Sequence, residues 1–96
     1  MENIITKEKL EKYFAITSEA LTQVKKNVAP KKAKEAKEII DMVENYLSDA
    51  KYFQKNGKWV LAFGALNYAH GWLDTGARLK IFTVKDSHLF VVDDKD

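Results

Sequence analysis

Apolar residues recur at threes and fours in three successive stretches of the chain. In the first, Leu10, Phe14, Thr17, Leu21, Val24 and Val28 form one stripe, which predicts a helix over about residues 7–26. Thr6 is placed to cap it, Ile5 and Leu10 stand at the hydrophobic-staple positions, and Glu8 suits the positive end of the helix dipole. Thr17 is the polar member of the stripe, and its hydroxyl is expected to bond a carbonyl one turn back. Asn27 is expected to close the helix in a left-handed conformation, and Pro30 suits the first turn of the next. The second stripe runs Ala33, Ala36, Ile40, Val43, Leu47, Ala50, with Ile39, Tyr46 and Phe53 as a second row, predicting a helix over about 30–56. Asn56-Gly57 is its stop signal.

The third stretch differs in breadth. A helix over about 58–80 places Trp59, Ala62, Phe63, Leu66, Ala69, His70, Leu73 and Ala77 on one arc, and Leu61, Tyr68, Trp72 and Leu79 extend it. At 100° per residue the apolar arc spans about 220°, against the roughly 100° that a surface helix needs. Two neighbouring helices do not cover so wide an arc. The C-terminal segment or a second subunit is therefore expected on the side of Leu61, Tyr68, Trp72 and Leu79.

After Phe82 the pattern changes to Val84 and Leu89–Val92 around a polar turn, a β-like composition that ends in an acidic tail. An isolated hairpin is marginal in water. The expectation is one all-α domain: an antiparallel up-down-up three-helix bundle over residues 1–82, with a short extended or hairpin segment, 83–96, packed on helix 3.

Composition narrows the class without naming a function. The 96 residues allow one core. With no cysteine there is neither a disulfide nor a thiolate metal site. No apolar run approaches the ~18 residues of a membrane span, and the first residues lack a signal-peptide core. A cytoplasmic protein without membrane association is expected. Basic and acidic residues number 16 and 14, so net charge alone does not imply nucleic acid.

The run YFQKNGKWVLAFGALNYAHGWLDTGARLKIF resembles the signature of a small archaeal family, domain of unknown function family 357. The matching positions are Tyr68, Ala69, His70, Gly71, Trp72, Leu73, Asp74, Gly76 and Arg78. The resemblance implies a short three-helix protein and implies no activity. Residues 46–69 are also similar to a tetratricopeptide spacing, through Tyr46, Ala50, Phe53, Gly57, Trp59, Ala62, Leu66 and Ala69. A single copy without a repeat period reads as a close helical hairpin.

Three groups of residues carry candidate chemistry. Asn67, His70, Gly71, Asp74 and Arg78 share a polar and glycine-rich face of helix 3. One-turn spacing lets Asp74 reach both His70 and Arg78. A structural network is the first reading, ligand or partner binding the second, and catalysis the last, since no matched nucleophile accompanies the histidine. Two ligands are too few for a metal, and no cofactor or catalytic residue is assigned. Gly64, Gly71 and Gly76 each cost about 1 kcal/mol in a helix, which implies close approach of backbone to a neighbour. Lys25, Lys26, Lys31, Lys32, Lys34 and Lys80 gather at one pole, where anions or nucleic acid could bind a helix N-terminus. The preferred function is a protein-interaction or dimerisation module, its partner a second copy or another protein. Binding of nucleic acid or a phosphate ligand is the alternative, and an enzyme centred on His70, Asp74 and Arg78 comes last.

Overall fold

The computed structural model describes residues 5–85 and 89–90. It contains three helices: α1 Lys7–Lys25, α2 Ala33–Lys55 and α3 Trp59–Arg78. Thr6 accepts a bond from the Lys9 amide at 3.1 Å and opens α1 as its pattern predicts. The expected extent of α2 was too long. Its first helical residue is Ala33, because the preceding chain is used elsewhere: the Ala29 amide bonds the Ile81 carbonyl, and the Asn27 carbonyl accepts from the Thr83 amide. Val28 and Phe82 thus form an antiparallel bridge that ties the α1–α2 connection to the chain beyond α3. Asn27 does not adopt the left-handed conformation expected of it; its side chain instead bonds the Gln23 carbonyl.

Both α2 and α3 end in the same way. The amides of Gly57 and Lys58 return to the carbonyls of Gln54 and Phe53, and those of Lys80 and Ile81 return to Ala77 and Gly76. Gly57 supplies the left-handed residue of the first motif at φ 73°, whereas Lys80 occupies that position in the second at φ 61°. A lysine is not a stop residue, which is why the sequence does not mark where α3 ends.

The contacts order the helices as an up-down-up bundle. Tyr13 meets Phe63 and Thr17 meets His70, so α1 and α3 run the same way. Tyr46 stacks on Tyr68 and Ile39 lies beside Gly76, so α2 runs against α3, and hence against α1. The third helix is the common partner of the other two: α1 and α2 each pack mainly on α3 and touch one another little. Leu10, Val24, Val43, Ala62, Leu66 and Leu73 form the centre of the core.

The segment after α3 completes that core, with Ile81, Phe82, Val84 and Phe90 all buried. At Gly76 the reason for a glycine is direct: a β-carbon there would stand 2.4 Å from the Phe82 ring and 3.4 Å from Ile39 Cδ1. The turn of the expected hairpin and the acidic tail lie outside the described residues.

Candidate functional site

The polar residues of α3 divide between two sides of the helix. His70 and Asp74 lie half-buried, His70 beneath the C-terminal segment. His70 Nε2 bonds the Leu89 carbonyl, and Nδ1 lies 3.2 Å from the Thr17 hydroxyl. A carbonyl only accepts, so Nε2 carries the hydrogen, and in the neutral ring Nδ1 accepts a hydrogen bond from the Thr17 hydroxyl. Thr17 is fully buried and spends its hydroxyl on this bond across the bundle, not on its own helix as expected. Asp74 Oδ1 stands 3.7 Å from Nε2. Both ring nitrogens are engaged within the fold, so the imidazole joins α1, α3 and the C-terminal segment. Its link to Thr17 spans 53 residues of sequence, and no local spacing signals it.

Asn67 and Gly71 lie on the other side. They line an open groove of about 630 Å³ with Gly64, Tyr68, Trp72 and Thr75. Its floor is bare backbone: a β-carbon added at Gly64 or at Gly71 would meet nothing within 4 Å. Among the described residues, close approach therefore accounts for Gly76 alone of the three helical glycines. Thr75 spends its hydroxyl on the Gly71 carbonyl, 2.9 Å away. Large apolar side chains stand around the groove. Tyr68, Leu79, Val60, Leu61 and Trp72 are between 37% and 65% exposed, and the described part of the C-terminal segment packs elsewhere. Tyr68 is held by a stacked contact with Tyr46 of α2, with ring centroids 5.6 Å apart. Arg78 is exposed at the end of α3, and among the described residues no ion pair joins it to Asp74.

The third group sits at the pole of the α1–α2 connection. Lys25 is paired there with Glu44 at 2.6 Å. Lys37 bonds Asp41 at 2.8 Å, and that hydrogen bond and charge raise its ammonium above the usual lysine pKa. Lys26, Lys31, Lys32, Lys34 and Lys80 are exposed. The first turn of α2 has no side-chain cap, its N-cap residue being Lys32. Among the described residues no group of three or more His, Cys, Asp or Glu is arranged to hold a metal ion, and no helix is long and apolar enough to cross a membrane.

Fold and surface together define a small three-helix protein in which the central helix is packed on one side and carries an open, glycine-floored apolar groove on the other. The chain belongs to the family described as protein of unknown function DUF357, whose model matches residues 12–82. That span runs from within the second turn of α1 to Phe82, and so includes the bridge to Val28. No curated protein and no solved structure matches the chain.

Proposed function

We propose that the protein is an interaction module whose working surface is the outer face of α3. The supporting observation is the pair Gly64 and Gly71. Each costs about 1 kcal/mol relative to alanine in a helix, and no atom of the described chain occupies the space that their missing side chains leave. A partner pressed against the exposed backbone offsets that cost. The five exposed apolar residues of the same face provide the contact area, and large exposed apolar patches of this kind mark binding surfaces.

The test places a photo-activated cross-linking residue at Trp72, and for comparison at Glu19 on α1, in cells that make the protein. A discrete adduct is expected from position 72, and its loss when Gly71→Leu fills the groove. Equal adducts from both positions, or an adduct indifferent to Gly71→Leu, would overturn the proposal.

The uncapped first turn of α2 among exposed lysines supports a second reading, binding of a phosphate-bearing ligand or nucleic acid. On this reading, single-stranded RNA binds at about 50 mM salt, and affinity falls with added salt and with Lys31→Gln, Lys32→Gln and Lys34→Gln. Binding unchanged by the three substitutions would dismiss it.

A further inference from the structure

We infer that the occupant of this face is a second copy of the chain, with the two α3 helices antiparallel about a two-fold axis level with the peptide between Ala69 and His70. The inference rests on the reading of the outer face as an interaction surface and names its partner.

A two-fold interface uses one patch twice, so the patch must be complementary to itself. Across antiparallel helices related by that axis, residues equidistant from it stand opposite each other. Tyr68 then faces the partner's Gly71, and Gly71 faces the partner's Tyr68. The groove floor on each copy is thus met by the ring that stands beside the same groove on the other. One step outward, Trp72 faces the partner's Asn67, and Thr75 faces the partner's Gly64. The second of these joins two small residues where the backbones must come close. At the ends Leu79 faces the partner's Val60, apolar on apolar. Bulky positions meet short ones in the middle, as ridges meet grooves in close helix packing.

Charge agrees with this choice. Of the outer residues of α3 only Arg78 is charged, which suits the charge-poor centre of an interface and leaves an acidic or basic partner little to pair with. The net charge of +2 gives weak repulsion between copies. A standard interface takes roughly 800 Å² from each partner. The α3 strip alone, about 30 Å long and 10 Å wide, falls short, so the flank of α2 around Tyr46, already in contact with Tyr68, is part of the buried area.

Sedimentation equilibrium of the full chain tests the assembly. From about 1 to 100 µM the mass should move from one chain to two, and Gly71→Leu should weaken the dimer at least tenfold, equivalent to about 1.4 kcal/mol. Circular dichroism of the variant checks that it remains folded. The register has its own test, because the chain contains no cysteine. A mixture of Gly64→Cys and Thr75→Cys chains should form a mixed disulfide under mild oxidation. Gly64→Cys alone should not couple to itself, since its two copies would stand about 16 Å apart along the helices, beyond the ~7 Å reach of a disulfide. A monomer throughout the range overturns the inference, and so does preferential self-coupling of Gly64→Cys. A monomer that still gives a groove-dependent adduct of another mass at Trp72 leaves the interaction surface standing with a different partner. A monomer without any adduct removes both.

Discussion

Alanine at Gly76 and alanine at Gly71 should move stability in opposite directions, although both glycines lie inside the same helix. At Gly71 the new methyl group enters open space. The variant keeps only the gain in helix propensity, about 1 kcal/mol. At Gly76 the same gain is available, but the methyl carbon would lie 2.4 and 2.6 Å from two atoms of the Phe82 ring. That ring cannot swing into solvent: Phe82 is 1% exposed, its backbone is bridged to Val28, and its amide bonds the Gly76 carbonyl itself. Overpacking of a rigid core costs about 1–3 kcal/mol, and an overlap this deep belongs to the upper part of that range. The net expectation for Gly76→Ala is a loss of about 1–2 kcal/mol. Urea unfolding at a concentration where the chain is monomeric reads both effects. With a slope of about 1–2 kcal/mol per molar, the midpoints should separate by more than about 1 M. Trimming Phe82 to leucine in the Gly76→Ala background should couple favourably by at least about 0.5 kcal/mol relative to additivity. A Gly76→Ala protein as stable as the wild type, or a Gly71→Ala protein less stable than it, would refute the reasoning.

Two further substitutions probe the polar join and the end of α3. Thr17→Val keeps the shape of the buried side chain but removes the proton donated to His70 Nδ1, and should cost about 1–3 kcal/mol. His70→Ala should cost at least as much, and the double variant less than the sum, because both break one network; additive losses would show that the two act separately. Lys80→Gly relieves a left-handed lysine and should raise the melting temperature by about 4–8 °C, the equivalent of roughly 1 kcal/mol in a domain of this size. A fall in melting temperature would mean that the lysine side chain stabilises the turn by more than its backbone strain.

The helices were legible because each carries a stripe whose period is set by local geometry. The width of the apolar arc of α3 was legible in the same way, but the described part of the C-terminal segment does not cover Leu61, Tyr68, Trp72 and Leu79, which are exposed. What the arc could not say is which neighbour stands at which angle. It placed Asn67, His70, Asp74 and Arg78 within one sector, and Leu89 then met His70 while Asn67 was left in the groove. The three glycines of α3 look alike in sequence. One is required by a ring that arrives six residues later, and two face open space, a distinction that exists only once α3 is packed. Thr17 carried a hint as the polar member of an apolar stripe. Its partner, however, is on another helix, where spacing rules do not reach.

The sparse contact between α1 and α2 has a consequence for synthesis. As the chain emerges from the ribosome, the first two helices have little to bury against each other. Leu10, Val24 and Val43 are fully buried in the finished bundle, where α3 is the main partner of both helices, and Phe82 and Phe90 join the core from later in the chain. The amino-terminal half is therefore not a folding unit that waits for an addition. It is a pair of amphipathic segments with exposed stripes, dependent on being sheltered until the central helix has been made.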